Sequence, residues 1–297
     1  MIEIKDISQA TDNQVEKDYS KITSLEHRRK FAQFFTPFQL ATLMADWLLG
    51  NKNLKTVLEP AFGLGVFSRA LISKKSDLSI KGFDIDEKIF AESKEIFNNT
   101  SIVELHLKDY MFNDWNNKYD GIICNPPYFK FHDYDNKTIL NEIKNRLKIK
   151  LSGFTNLYTL FLLKSIYQLN PNGRLAYIIP SEFLNSDYGK HVKSALTKNN
   201  VLRHIVVFDF EENIFDDALT TACILLCSND NHNQKVKFST IKEIDDLELI
   251  RTYISEYPLY SIDDSTFNNN KLEPKVKWRK YYQKQNGIRY KNLIPFS

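Results

Sequence analysis

The chain has 297 residues and a formal net charge of only +3, with 42% hydrophobic and 26% charged residues. This composition is typical of a globular protein with one large α/β domain, or one domain plus an appendage. The charged N-terminus lacks the apolar core of a signal peptide, and the apolar stretch "LYTLFLLKSIYQL" is interrupted by Lys164. We therefore expect a cytoplasmic protein with no membrane partner.

The three cysteines, Cys124, Cys223 and Cys227, lie in apolar runs that resemble strands. No pair of histidines or cysteines stands at a spacing that would complete a metal site with them. The sequence therefore predicts reduced core cysteines, with neither a disulfide framework nor a bound metal.

The predicted elements begin with helices in residues 1–50. A first helical region covers residues 12–32, and a second begins with Thr36 as its cap and Pro37 as its first helical residue. Gly50 is the expected stop signal for this second helix.

Strands and helices then alternate in units of roughly thirty residues. The predicted strands lie in residues 55–60, 78–86, 101–107, 119–125, 174–180, 201–208 and 220–227, and the predicted helices in residues 63–74, 87–99, 155–168 and 189–200. This alternation predicts an α/β fold with a doubly wound, mostly parallel, seven-stranded Rossmann-like sheet. We assign residues 1–240 to this domain and residues 241–297 to a basic C-terminal extension.

Ligands of such sheets bind at the carboxyl ends of the strands, where the strand order reverses. After the first strand, "LEPAFGLG" places Gly63 and Gly65 in a turn that lets a ligand approach the backbone. Asp84 ends the second strand, where its carboxylate is suited to accept hydrogen bonds from both hydroxyls of a ribose. The pattern predicts a nucleoside site.

We expect this nucleoside to be part of a cofactor without a pyrophosphate. A dinucleotide fingerprint requires a third glycine near Ser68, and that glycine is absent. S-adenosylmethionine fits better: Glu59 would attract its cationic amino group, and Asp109 would accept a hydrogen bond from its adenine amino group. Each acid alone is explained as well by a solvated strand end or a helix cap. Suitable groups after four consecutive strands favour the S-adenosylmethionine-dependent methyltransferase type.

The stretch "NPPY", residues 125–128, directly follows the fourth strand. The side-chain oxygen of Asn125 and the backbone carbonyl of Pro126 could accept from the two hydrogens of an amino group conjugated to an aromatic ring. These contacts would free the nitrogen lone pair for attack on a methyl sulfonium and stabilise the charge that develops. Pro127 stiffens the backbone, and Tyr128 could stack on the ring. The alternative is a rigid turn.

These motifs resemble the γ class of DNA N6-adenine methyltransferases of restriction–modification systems. The likeness covers roughly residues 30–227 and is carried by "FFTPFQLATLM", "VLEPAFGLGVF", "NPPY" and "NLYTLFLLKSIYQLNPNGRLAYIIPSEFLNS". It implies that Thr36, Pro37, Glu59, Pro60 and Ala61 belong to the cofactor site. It also implies that Phe215 packs on the flipped adenine opposite Tyr128.

The resemblance implies site-specific methylation of double-stranded DNA, which protects it from a cognate restriction endonuclease. Such proteins usually continue into a sizeable target-recognition domain, of which residues 241–297 could be the start or a remnant. Recognition could also use a separate subunit, a longer protein, or the basic segment after "NPPY".

The C-terminal extension has two interpretations. From Lys271 onward, eight lysines and arginines accompany Glu273 alone, which gives this stretch a charge of +7. Its aromatic residues could stack on bases while the cations follow phosphates, or they could pack within a solvated extension. These residues are Trp278, Tyr281, Tyr282 and Tyr290.

Three other functions compete with this interpretation. "NPPY" also occurs in methyltransferases of protein glutamine and in some RNA methyltransferases. A methyltransferase-like subunit that only binds DNA is the second rival, although the intact set of Gly63, Gly65, Asp84 and Asn125 argues against it. A nicotinamide-dependent dehydrogenase is a distant third.

Overall fold

The computed structural model describes residues 10–128, 136–151, 155–185, 189–209, 222–231, 235–243, 245–259 and 266–283. Within these ranges a single sheet has the strands β1 (Thr56–Glu59), β2 (Ser79–Asp84), β3 (Val103–Leu107), β4 (Tyr119–Cys124), β5 (Leu169–Pro180), β6 (Leu202–Phe208), β7 (Ala222–Ser228), β8 (Lys235–Ile241) and β9 (Thr266–Asn268). The helices are α1 (Gln14–Ile22), α2 (Leu25–Lys30), α3 (Phe38–Leu49), α4 (Val66–Ile72), α5 (Glu87–Ile96), α6 (Asn136–Leu147), α7 (Leu157–Gln168), α8 (Lys190–Lys198), α9 (Asp246–Glu256) and α10 (Arg279–Gln283).

The strand order is β3-β2-β1-β4-β5-β7-β6-β8-β9. Strands β1 to β5 are parallel, and β7 runs antiparallel between β5 and β6. The doubly wound, mostly parallel sheet is thereby confirmed. Its order reverses between β1 and β4, so the crevice for ligands opens at the carboxyl ends of these two strands.

The sheet has two strands more than the seven predicted. β8 pairs parallel with β6, and β9 pairs antiparallel with β8. The prediction missed β8 because lysines interrupt its apolar residues. Lys237 is nevertheless buried, with its ammonium 3.9 Å from the centre of the Tyr253 ring, which gives a desolvated cation a favourable contact.

Each face of the sheet has its own core because side chains alternate along a buried strand. Val57 and Ile123 pack on the side of α3 and α4, whereas Leu58 and Ile122 pack on the side of α7 and α8. The cysteines Cys124, Cys223 and Cys227 are free and buried, as predicted.

The N-terminal helices differ from the prediction. The first region is two helices, because Ser24 caps α2 by accepting from the backbone N–H of His27 at 3.2 Å. α3 begins at Phe38, not at Pro37, and Thr36 does not cap it. The first N–H of α3 donates instead to the side chain of Asn13 at 2.7 Å. Gly50 follows the last residue of α3, as predicted.

The described part of residues 241–297 packs against the same sheet. Trp278 is fully buried and donates its backbone N–H to the Leu184 carbonyl at 2.7 Å, and the Tyr281 ring lies 5.6 Å from that of Phe238. These two aromatic residues are therefore packed and unavailable for base stacking; Tyr290 and the side chain of Tyr282 lie outside the described residues. The division at residue 240 stays a prediction. In the described ranges no helix is long and apolar enough to cross a membrane.

Candidate active site

A cavity of about 350 Å³ opens at the carboxyl ends of β1, β2 and β4. It brings together most of the residues that the sequence predicts for the site: Thr36, Glu59, Pro60, Ala61, Gly63, Asp84, Asp109, Asn125 and Pro127 all line it. Of the others, Pro37, Gly65, Pro126 and Tyr128 are chain neighbours of lining residues, and Phe215 lies outside the described residues.

The glycine loop, residues 59–65, forms one side of this cavity. Gly63 has a φ of 54°, and its N–H donates to the Asp84 carboxylate at 2.9 Å. Gly65 has a φ of 70° at the start of α4, and a Cβ there would lie 2.6 Å from the rings of Phe62 and Phe97. Both positions therefore favour glycine, and the turn brings the loop backbone to the cavity.

Glu59 is fully buried at the end of β1. Its Oε2 accepts from the backbone N–H of Ser68 at 3.1 Å and from the Ser68 hydroxyl at 2.5 Å. Its Oε1 has no hydrogen-bond partner among the described residues. Burial raises the pKa of Glu59 to about 8, against the lowering effect of the Ser68 hydrogen bonds. A buried carboxyl oxygen without a hydrogen-bond partner is suited to contact a cationic ligand group.

The dinucleotide fingerprint is interrupted at Ser68. This serine stands where that fingerprint would have its third glycine, and its hydroxyl holds Glu59.

Two aspartates also line the cavity: Asp84 is the last residue of β2, and Asp109 follows β3 by two residues. Asp84 accepts from the N–H groups of Gly63 and Asp86, at 2.9 and 3.0 Å. Asp109 accepts from the N–H of Met111 at 2.8 Å. Burial raises the pKa of both carboxyls, while these backbone hydrogen bonds lower it. The backbone thus fixes each carboxylate with further acceptor capacity.

The polar groups of the wall indicate the kind of ligand. Carboxyl side chains of Glu16, Glu59, Asp84 and Asp109 line the cavity, together with the cations Lys30 and Lys108. Glu16 is paired with Arg69, so the carboxyls of Glu59, Asp84 and Asp109 are the ones that suit a nucleoside with hydroxyl groups and a cationic end. The residues therefore fit S-adenosylmethionine better than a dinucleotide.

Asn125 lies at the edge of the same cavity, directly after β4. Its amide nitrogen donates to the Phe34 carbonyl at 3.0 Å and to the Thr36 hydroxyl at 3.1 Å. Its amide oxygen accepts from the Tyr128 hydroxyl at 2.7 Å. The family resemblance placed Thr36 in the cofactor site, and the structure adds this contact with "NPPY".

The N-terminal arm, residues 10–37, covers the cavity through residues 30–36. Arg69 of α4 is fully buried and donates to the Glu16 carboxylate in the arm. Asp86 accepts from Gln33 at 2.5 Å and bonds the His27 ring at 2.8 Å. Sequence reasoning missed these contacts because no local pattern pairs residues so far apart.

Comparison with solved structures defines the class of fold. A methyltransferase subunit of a type I restriction–modification system from Streptococcus thermophilus superposes with a TM-score of 0.69 at 17% identity, over 83% of this chain and 59% of that one. A Listeria monocytogenes protein assigned to the class I S-adenosylmethionine-dependent methyltransferases gives a TM-score of 0.63 at 16% identity, over 84% and 80%. The fold is that of the S-adenosylmethionine-dependent methyltransferases.

Sequence comparison then gives the family. The model of the Eco57I restriction-modification methylase family matches residues 64–215. The type II methyltransferase M.AccI of Acinetobacter calcoaceticus is 63% identical over 294 residues, which are 99% of this chain and 54% of that protein. The chain belongs to the Eco57I restriction-modification methylase family, and it spans about half the length of this relative.

Proposed function

We propose that the chain methylates N6 of adenine in double-stranded DNA with S-adenosylmethionine as methyl donor, as a γ-class methyltransferase of a restriction–modification system. One observation carries the proposal: Asn125 and Pro127 of "NPPY" line the same cavity as Glu59 and Asp84. A site for a nucleoside with a cationic end thus adjoins an amide oxygen that can accept from an amino group.

The residues of the cavity have separate tasks in this proposal. Glu59 holds the amino group of the cofactor, Asp84 its ribose hydroxyls, and Asp109 its adenine amino group. When bound, S-adenosylmethionine supplies a methyl group on a sulfonium; the target nitrogen gains this methyl, the sulfonium becomes a neutral thioether, and one nitrogen proton is released.

Asn125 and Pro126 act on the target nitrogen. Their two carbonyl oxygens accept from its hydrogens and so oppose delocalisation of the lone pair into the ring. The same oxygens stabilise the positive charge on nitrogen in the transition state. A strong base is unnecessary, because the methylated ammonium is acidic and releases its proton afterwards.

The target adenine must leave the duplex to reach this cavity, at a cost of a few kcal/mol. We propose that Tyr128 and Phe215 hold the flipped base between them. Site recognition belongs to residues 241–297, to the basic segment after "NPPY", to a further part of a longer protein, or to a separate subunit, and a cognate restriction endonuclease is the biological partner.

The first test uses the 297-residue chain with methyl-labelled S-adenosylmethionine and, separately, unmethylated duplex DNA, RNA and a translation release factor. We expect label on DNA only, recovered as N6-methyldeoxyadenosine after digestion and mass spectrometry. Methylglutamine or methylated RNA would assign the function to a rival enzyme. Tight cofactor binding without transfer to any of the three would contradict the proposed activity of this chain.

The second test removes the amide. Asn125→Ala should lower the methyl-transfer rate by about 10²–10³-fold, the usual effect of losing one preorganised polar group at a reacting centre. Cofactor affinity should be unchanged, because Glu59, Asp84 and Asp109 are retained. Asn53→Ala, at an exposed asparagine outside the cavity, is the matched control. A normal rate in Asn125→Ala would refute the mechanism.

A further inference from the structure

The side-chain amide of Asn125 is held at both ends. Its nitrogen donates to the carbonyl oxygen of Phe34 and to the hydroxyl oxygen of Thr36. Its oxygen accepts from the hydroxyl of Tyr128. A side-chain amide nitrogen has two hydrogens, so the two bonds that it donates to the N-terminal arm use its full donor capacity.

The Phe34 carbonyl decides which end of the amide faces the arm. A backbone carbonyl oxygen can only accept, so the group beside it must be the NH₂ of Asn125 and not its oxygen. Turning the amide over would bring the oxygens of Asn125 and Phe34 together and lose that bond, whereas the Thr36 hydroxyl could still donate to the turned amide. The oxygen of Asn125 is therefore directed away from Phe34 and towards Tyr128.

Thr36 is itself fixed in place. The residue is only 1% exposed, and its backbone carbonyl accepts from the side chain of Asn13 at 3.0 Å. The other end of the Asn13 amide accepts from the N–H of Phe38 at 2.7 Å. One asparagine thus joins Thr36 to the start of α3, so that the Thr36 hydroxyl has a defined position beside Asn125.

Tyr128 has a second acceptor. Its hydroxyl lies 2.7 Å from the Asn125 oxygen and 3.1 Å from the Ile178 carbonyl oxygen. A hydroxyl has one hydrogen. The O–H bond of Tyr128 can rotate to donate to the Ile178 carbonyl when an incoming amine donates to Asn125. The Asn125 oxygen can then accept the amine without leaving the tyrosine unpaired.

We propose that Thr36 is a positioning residue for Asn125. Its hydroxyl oxygen, together with the Phe34 carbonyl, orients the amide so that the Asn125 oxygen faces the target amine. This role rests on the proposed function but differs from cofactor binding, which the family resemblance implied for Thr36. It also makes the catalytic orientation of "NPPY" depend on the N-terminal arm.

Nuclear magnetic resonance tests the orientation without any substrate. Protein with ¹⁵N-labelled asparagine side chains gives one NH₂ signal pair per asparagine, and the Asn125 pair is identified by its absence in Asn125→Ala. In Thr36→Val we expect one Asn125 proton to move upfield, because it loses its acceptor, whereas Thr36→Ser should restore the original signal. An unchanged pair in Thr36→Val would overturn the proposal.

Kinetics tests the catalytic consequence. Thr36→Val should lower kcat for DNA methylation about tenfold, the effect of one lost hydrogen bond, with KM and the cofactor Kd within about twofold. Thr36→Ser should recover the rate, and Thr252→Val, at an exposed threonine of α9, is the control.

The two measurements separate the possible failures. A weakened cofactor Kd with unchanged kcat in Thr36→Val would make Thr36 a cofactor ligand and contradict the positioning role. If the unmodified chain methylates no DNA, the proposed function fails, and the Asn125 signals still decide whether Thr36 orients the amide. Thr36→Ala repeats both measurements if valine prevents folding.

Discussion

The glycine loop and the N-terminal arm line the same cavity but are held in different ways. Gly63 bonds Asp84 at the end of the next strand, and Ser68 bonds Glu59 nine residues before it. The arm is instead held from a distance: Arg69 lies 53 residues from its partner Glu16. The loop is built within one strand–helix–strand unit, whereas the arm depends on the completed fold.

The two regions contribute different groups to the cavity. The loop carries or fixes two carboxyl groups that line the cavity, those of Glu59 and Asp84. The arm supplies the groups that hold other residues, such as the Phe34 carbonyl and Thr36 hydroxyl that bond Asn125. Changes in the loop should therefore alter cofactor affinity, while changes in the arm should alter stability or the rate of transfer.

The largest effect is expected where the arm is joined to α4, the helix that follows the glycine loop. Arg69→Met leaves the buried carboxyl of Glu16 without its cation, and breaking a buried pair on one side costs about 3–5 kcal/mol. The arm should loosen as well, because Arg69 also donates to the carbonyls of Ala10 and Asp12 at 3.0 Å. Urea unfolding of the cofactor-free chain measures the loss.

Lys21→Met is the matched control for this loss, because Lys21 pairs with Asp18 on the exposed surface of the same arm. It should leave the urea midpoint unchanged within error. Equal midpoints for Arg69→Met and Lys21→Met would show that the buried contact does not hold the arm.

Asp84→Asn tests the expected effect of the glycine loop on cofactor affinity, because Gly63 of this loop donates to Asp84. It keeps the shape but removes the charge that strengthens hydrogen bonds from ribose hydroxyls, and its NH₂ would face one of the backbone N–H groups that donate to Asp84. We therefore expect S-adenosylmethionine to bind about 10- to 100-fold more weakly. Asp77→Asn, at an exposed aspartate just before β2, is the control. Calorimetric titration of both variants measures the change, and equal affinities would remove Asp84 from the cofactor site.

The pH dependence of cofactor binding tests Glu59. Since burial raises its pKa to about 8, Glu59 is mostly protonated at pH 6–7 in the free chain and must lose that proton to bind a cationic amino group. Affinity should rise as the pH rises to about 8, by up to about tenfold per unit, and should fall above pH 8 as the amino group itself deprotonates.

Glu59→Gln is the control for this titration. It removes the titrating group, so affinity should be weaker at pH 8 and nearly independent of pH below it. An unmodified chain with constant affinity between pH 6 and pH 8 would contradict the pairing of Glu59 with a cation.

The sequence predicted the loop because the relevant signals are local. Apolar runs of buried parallel strands end in polar residues, so Glu59 and Asp84 could be placed at one edge of the sheet before any contact was known. The positive φ of Gly63 and Gly65 follows from the same short motif.

The arm could not be predicted in this way. Asn13 caps a helix that begins 25 residues later, and Thr36 bonds Asn125 across 89 residues. Residue type and spacing carry no information about such pairs, since a threonine before a proline is equally typical of a local cap. The strand β8 was missed for a related reason, because only the completed fold places a ring beside Lys237.

The smallest effect is expected for Tyr128→Phe, which changes the residue that bonds the oxygen end of the Asn125 amide. The ring that stacks with Phe34, at 6.4 Å between centres, is retained, and the hydroxyl is lost together with its contacts to the Asn125 and Ile178 oxygens. Because the arm still holds the amide nitrogen of Asn125, methyl transfer should slow by no more than a few-fold, and less than in Thr36→Val.

Single-turnover methylation of duplex DNA measures this ranking, with Tyr253→Phe in α9 as a control outside the cavity. If Tyr128→Phe slows transfer more than Thr36→Val does, the amide is oriented mainly through its oxygen, and control of "NPPY" belongs to β5, which carries Ile178, and not to the N-terminal arm. The order of these two rates therefore decides which end of Asn125 the fold holds for catalysis.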